Sequence, residues 1–169
     1  MHRRTWIARA YDEHGAMLYR YALLIVADPA VAEDAVHEVF VKLLAGSSRR
    51  DDIQSSLAYL RRAVRNQCYS WLRTRQRDAP AAVPGAGSLL EPVRPAPQDD
   101  RLMLEEALRA LPPEQREVVH LKVFEGLTFS QIADVTGVPL NTAASRYRYA
   151  IGKMGEQLGL VRETPGRTA

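Results

Sequence analysis

An all-α fold, built as two small helical domains joined by a proline-rich linker, is what this 169-residue sequence predicts. Three observations carry that expectation. Apolar residues recur at three- and four-residue spacing over most of the chain, the mark of amphipathic helices. No stretch alternates apolar and polar residues, and no hairpin turn signal occurs. Residues 79–100, APAAVPGAGSLLEPVRPAPQDD, hold prolines 80, 84, 92, 95 and 97, half of the chain's ten, together with Gly85 and Gly87. That composition ends any helical period and makes a linker.

The N-terminal half, 1–78, reads as three helices. The first runs from about Arg3 to Ala27 and puts Ile7, Ala10, Tyr11, His14, Leu18, Tyr21 and Ile25 on one side. The second begins at Asp28-Pro29. An aspartate there accepts from the free N–H groups of the first turn, and a proline in that turn forfeits no bond. This helix buries Val31, Ala35, Val36, Val39, Phe40, Leu43 and Leu44 and ends at Gly46. The third starts near Ile53 and buries Leu57, Leu60, Val64, Cys68 and Trp71.

The C-terminal half, 101–160, predicts four more. A helix over Asp100–Leu111 is closed by Pro112-Pro113, and the next runs from Pro113 to Glu125. Thr128 with Gln131 three residues on is a variant capping box, opening a short helix with Phe129, Ile132 and Ala133 on its buried side. Gly137 supplies a turn and Pro139 starts the last helix. Its buried stripe is Ala143, Tyr147, Ala150/Ile151, Met154 and Leu158. Residues 161–169 read as a disordered tail.

Composition narrows the function classes. The chain is 46% hydrophobic and 25% charged, ordinary for a globular protein. A single cysteine, Cys68, excludes an internal disulfide and a cysteine-based zinc site. No apolar run approaches the ~20 residues of a membrane span, and the N-terminus lacks a signal peptide's apolar core. The expectation is a cytoplasmic protein without membrane insertion. Net charge is only +3, but it is unevenly placed. Residues 49–78 carry eight arginines against three aspartates, whereas 33–38 carry three acids and no Lys or Arg. A polyanion on one side and a basic partner on another fit that division.

Three surfaces carry the chemistry. The last two helices form a helix, a tight turn and a basic helix, the arrangement that lays its second helix in a DNA major groove. The candidate DNA-contacting residues there are Asn141, Thr142, Ser145, Arg146, Arg148 and Tyr149, and no acid occurs from Leu140 to Gly155. On the third helix Arg62, Arg65, Asn66, Tyr69 and Arg73 share one sector, with Arg61 at its border. Arginines hold phosphates, while tyrosine and asparagine stack on or hydrogen-bond an unpaired base. The preceding loop, 46–52, is polar and suits a flipped base. The third surface is acidic: Glu33, Asp34 and Glu38, with His37 among them. Asp34 and Glu38 repel at four-residue spacing, which a basic partner would relieve. Asp34-x-x-His37 also has the spacing of a carboxylate–histidine metal pair, but a carboxylate-bridged bundle needs two such pairs and only one is present. No nucleophilic triad, phosphate loop or catalytic carboxylate pair occurs. The expectation is a protein with no cofactor, no metal and no catalytic residue.

AEDAVHEVFVKLL (32–44), SLAYLRRAVRNQCYSWLRTRQR (56–77) and LPPEQREVVHLKVFEGLTFSQIADVTGVPLNTAASRYR (111–148) resemble the sigma-70 family of RNA polymerase initiation factors. The chain looks like the extracytoplasmic-function (ECF) subfamily, which has only regions 2 and 4. The resemblance implies a promoter-specificity subunit. Glu33, Asp34, His37 and Glu38 would meet the clamp helices of the core polymerase's largest subunit. Arg61, Arg62, Arg65, Asn66, Tyr69 and Arg73, with loop 46–52, would bind the melting −10 element. Helix 140–153 would read the −35 duplex, with the linker threading between. It leaves open whether an anti-sigma factor partners the chain. Tyr59 stands where the family usually has tryptophan, Ser70 where aspartate is common, and His37 where glutamine is frequent. Asn141 and Ala144 replace the usual glycine and lysine, so the family's −35 preference does not carry over. The competing reading is a stand-alone helix-turn-helix regulator.

Overall fold

The computed structural model describes residues 2–46, 56–78 and 98–160, and within them every regular element is helical. They are α1 (His2–Val26), α2 (Pro29–Leu44), α3 (Ser56–Asp78), α4 (Gln98–Ala110), α5 (Pro113–Val119), α6 (Phe129–Thr136) and α7 (Leu140–Gln157). Most of loop 46–52, most of the 79–100 linker and the 161–169 tail lie outside the described residues.

Local chemistry sets most boundaries. Asp28 caps α2, its carboxylate accepting from the N–H groups of Ala30 and Val31 at 3.0 and 3.2 Å. α1 stops one residue earlier because Ala27 turns left-handed, with φ at 53°. α6 opens on a full capping box: Gln131 N donates to Thr128 Oγ1 at 3.2 Å, and Thr128 N donates to Gln131 Oε1 at 2.9 Å. Such a cap is worth about 1 kcal/mol. Gly137 ends α6 with φ at 70°, a conformation that a Cβ would strain. α5 departs from the expected uninterrupted helix. It widens into a π-helical turn over His120–Phe124, closed by Glu125 N donating to His120 O. Such turns concentrate at functional sites.

The core is continuous from one half to the other. Leu18, Tyr21 and Ile25 of α1, Ala35, Val39 and Phe40 of α2, and Leu60, Val64 and Cys68 of α3 pack together. Val118 and Leu121, Ile132 and Val135, and Ala143 extend the same cluster from the C-terminal half. A second cluster joins Ala107, Leu108 and Leu111 of α4 to Val119 of α5 and Ala150 and Met154 of α7. Each large aliphatic side chain so buried contributes about 1.5–3 kcal/mol. α1 explains how the halves join: from Tyr21 to Ala27 every residue is buried, because α2 and α3 cover one side and α5 another. Three positions expected on the inner side differ: Tyr11, Leu44 and Ile151 are 42%, 55% and 43% exposed, each at the edge of its stripe.

Candidate functional site

The acidic surface lies along the outer side of α2. Glu33, Asp34, His37 and Glu38 are all exposed. Glu38 has a local partner, Lys42 Nζ at 3.2 Å, and that lysine also reaches Gln67 Oε1. The repulsion expected between Asp34 and Glu38 is therefore eased within the helix, a pairing that exposed side chains make for about 0.3–0.5 kcal/mol. The acids frame apolar ground. Val31, Val41 and Trp71 line one shallow hollow beside Asp34, His37 and Glu38. A second hollow, of about 500 Å³, opens between α1 and α2 and is lined by Tyr11, Tyr19, Glu33, Val36 and His37. Tyr11 Oη sits 3.3 Å from His37 Nε2 and fixes that wall. Acids around an apolar centre suit a basic amphipathic helix.

On α7, Asn141, Arg148 and Tyr149 are exposed, Tyr149 by 66%. Thr142 and Ser145 are half-buried. Arg148 Nη2 donates to Ser145 Oγ at 3.3 Å. Arg146 differs from its neighbours. It is half-buried, and its Nη1 is shut away from water without a hydrogen-bond partner. The helix is held on α6 by Phe129 packed edge-on against Tyr147, ring centroids 5.6 Å apart.

The α3 sector is where position and expectation part most. Helical periodicity makes it a solvent face, and only Arg62, Asn66 and Arg73 are exposed. Arg61, Arg65 and Tyr69 face the C-terminal half instead. Arg65 Nε and Nη2 grip the Glu117 carboxylate at 2.7 and 3.2 Å, a two-pronged contact. Tyr69 Oη donates to the same carboxylate at 2.8 Å, and Tyr21 Oη at 2.5 Å. Arg65 also lies 4.4 Å over the Tyr69 ring. Arg61 pairs with Glu125, which His120 Nε2 also meets at 3.1 Å. Arg62 Nε and Nη2 both donate to the Asp134 backbone carbonyl, at 2.9 and 2.6 Å. That carbonyl belongs to the last turn of α6, where acceptors lack intrahelical donors.

Electrostatics follow from this burial. Tyr21 and Tyr69 are held well above the usual tyrosine range, first by burial and then by the adjacent Glu117 charge. Burial pulls Arg65 down, but Glu117 together with the two tyrosines outweighs it and raises the guanidinium. The Cys68 thiol is pushed up to about 12 by burial and by Glu117. Glu117 and Glu125 were not among the residues expected to matter. Glu117 stands between the polar run Glu114-Gln115-Arg116 and the apolar Val118-Val119, and that border position gives little signal that it is buried and needs a cation.

Among the described residues no group of three or more His, Cys, Asp or Glu is placed to hold a metal ion. No helix among them is long and apolar enough to cross a membrane.

Residues 10–78 match the family model described as Sigma-70 region 2, and residues 101–154 match Sigma-70, region 4. The chain is 31% identical over 162 residues to the ECF RNA polymerase sigma factor SigL of Mycobacterium tuberculosis, covering 90% of both. It is 29% identical over 143 residues to the RNA polymerase sigma-E factor of Streptomyces coelicolor, covering 83% of this chain and 79% of that one. In fold it is similar to the sigma factor RpoE of Bartonella quintana, solved in complex with the anti-sigma factor NepR. The TM-score is 0.74 at 23% identity, over 92% of this chain and 98% of the other. CnrH, solved with the cytosolic domain of CnrY, gives a TM-score of 0.66 at 19% identity, over 94% of this chain and 91% of that one. An acid-framed α2, an arginine-rich α3 and a helix-turn-helix thus occur in one chain that matches both conserved sigma regions. This protein belongs to the sigma-70 family, in its extracytoplasmic-function subfamily, and is a promoter-recognising transcription initiation factor.

Proposed function

We propose that each of the three surfaces serves one partner in initiation. Residues 1–78 form the region 2 unit. Core polymerase docks on its α2, where Glu33, Asp34, His37 and Glu38 surround Val41 and Trp71, a match for the basic clamp helices of the largest subunit. The melted −10 strand lies on α3, with Arg61, Arg62, Arg65 and Arg73 on phosphates and Asn66 and Tyr69 on bases. Residues 101–160 form the region 4 unit. Its α7 enters the −35 major groove through Asn141, Thr142, Ser145, Arg146, Arg148 and Tyr149. Residues 79–97, between α3 and α4, have a reach of roughly 65 Å, close to two turns of B-DNA at ~34 Å each, enough to bridge both elements. The factor works in the cytoplasm, where the polymerase is, and supplies no catalytic group. An anti-sigma factor is the proposed regulator, a partner of the kind solved with the Bartonella quintana sigma factor.

The observation that carries this reading is α7. It follows a left-handed Gly137 turn, exposes Asn141, Arg148 and Tyr149, and has no acid from Leu140 to Gly155. A stand-alone regulator would need no acid-framed α2 beside an arginine–tyrosine α3. The test is permanganate footprinting of unpaired thymines in reconstituted holoenzyme. Asn66→Ala and Arg73→Ala remove side chains that are already exposed, so they should cut melting about tenfold, using ~1–3 kcal/mol per base contact. Duplex binding should change little. Intact melting in both variants would leave α3 with no role at the −10 element.

A further inference from the structure

Among the described residues, Arg116 of α5 is the one lysine or arginine that is buried, at 6% exposure. It forms no ion pair and no side-chain hydrogen bond there, and its Nε is shut off from water. The other arginines with an enclosed nitrogen differ: Arg61 keeps Glu125, and Arg146 is only half-buried. A guanidinium does not give up its proton in a protein. The charge on Arg116 therefore stays, and a buried charge needs an opposite one.

The surroundings do not supply one. Burial holds the Arg116 guanidinium below the usual arginine range, and Tyr69, Arg109 and Glu114 are the ionisable groups that act on it. Glu114 pulls against burial but makes no ion pair with Arg116. Arg109, in the last turn of α4, adds a second positive charge. The corner between the two helices is Pro112-Pro113, which has no N–H to offer. The Pro112 carbonyl is already taken by Gln115 N and Arg116 N.

We infer that the corner of α4 and α5 is an oxyanion site for a phosphate group, held by Arg116 with Arg109 beside it. The Nη atoms of Arg116 are not enclosed as Nε is, so its outer edge is open to an ion from solvent. A phosphate group carries about −1.5 to −2 charge near neutral pH. It answers two cations, where a carboxylate answers one, and arginine's planar fork meets it with two parallel N–H···O bonds. Neither arginine belongs to the three surfaces assigned to polymerase and promoter. The ion ties the end of α4 to α5, where Leu108, Leu111 and Val119 pack with Ala150 and Met154 of α7. Occupancy therefore stiffens the base on which the recognition helix stands.

The test uses the full chain, with thermal unfolding and isothermal titration calorimetry at matched ionic strength, in chloride alone and with inorganic phosphate or pyrophosphate added. Wild type should show one saturable site and a midpoint that climbs with the logarithm of ligand concentration. Arg116→Met keeps the apolar stem and removes the charge. It should lose at least about tenfold in pyrophosphate affinity, as the loss of charge-assisted hydrogen bonds implies. In chloride alone it should unfold at a higher temperature than wild type, since it no longer buries an unpaired charge. Arg109→Gln, at a half-buried position, should weaken the ion less, and keeps the test decisive if Arg116→Met loses helicity by circular dichroism. An equal rise in all three proteins is the general effect of an excluded salt and overturns the site. So does a wild-type chain that binds neither ion. Phosphate can arrive free or on a DNA backbone, and a random-sequence duplex titrated into the pyrophosphate-saturated chain separates the two. Displacement of pyrophosphate assigns the site to a backbone phosphate; pyrophosphate retained with the duplex bound assigns it to a free phosphate-bearing ion.

Discussion

Arg65 of α3 and Glu117 of α5 stand 52 residues apart in sequence and join through two hydrogen bonds, at 2.7 and 3.2 Å. The carboxylate is fully buried and the guanidinium partly so. Magnitudes decide what this pair does. Desolvating two charges offsets most of their attraction, so a buried pair adds little net stability, whereas removing one partner costs about 3–5 kcal/mol. The pair therefore fixes which groups of α3 and α5 face each other more than it strengthens the fold.

The α2 surface gives a prediction about assembly. Asp34→Arg with Glu38→Arg reverses two exposed charges and leaves the buried Ala35, Val36 and Val39 untouched. Reversal in a complementary interface costs several kcal/mol. Co-purification with core polymerase should be lost, while helicity by circular dichroism stays at the wild-type level. Wild-type recovery of polymerase by the double variant would remove α2 from the docking surface.

A second prediction separates the two arginines of α7. Arg148 is exposed and should hold phosphate, so Arg148→Ala should weaken −35 binding evenly across sequences and lower the salt slope by about one charge. Arg146 lies half-buried with Nη1 unpartnered, so it must swing outward to reach a base. If it does, Arg146→Ala relaxes the preference at one base pair by about 1–3 kcal/mol. Selection of bound duplexes from a randomised library, with each variant in holoenzyme, reads both effects. The assignment fails if Arg148→Ala alters the selected bases and Arg146→Ala does not.

Much of this was legible because it is local. The Asp28 cap, the Thr128–Gln131 box and the Gly137 turn each depend on residues within four positions, and each stands where the sequence puts it. The α3 sector was legible in composition but not in surroundings. A helical wheel shows that Arg61, Arg65 and Tyr69 share a side; it does not show that α5 covers them. Glu117 was missed for the same reason, since its partners arrive from α1 and α3 through tertiary packing. The π-helical turn at His120–Phe124 leaves no mark in an apolar period read at 3.6 residues per turn.

Cys68 yields a prediction about pH. Burial, with Glu117, pushes its thiol up to about 12, against ~8.5 for a cysteine in an unfolded chain. The folded value is the higher, so the contribution is whole below about pH 8.5 and is lost as the pH climbs towards 12. Tyr21 and Tyr69 move in the same sense from about 10 upward. The urea midpoint should hold to about pH 8 and then fall. Cys68→Ala should flatten the fall between about pH 9 and 11 by one proton, ~1.4 kcal/mol per pH unit. Equal slopes in the two proteins would contradict a buried thiol.

On the proposed reading, this chain directs core polymerase to promoters through separate −35 and −10 contacts. Run-off transcription on fragmented genomic DNA, with purified core polymerase alone and with the chain added, tests it most directly. The expected result is a discrete set of start sites that appears only with the chain, shares two upstream elements, and disappears with Asp34→Arg/Glu38→Arg. Transcripts indistinguishable from core polymerase alone would contradict it.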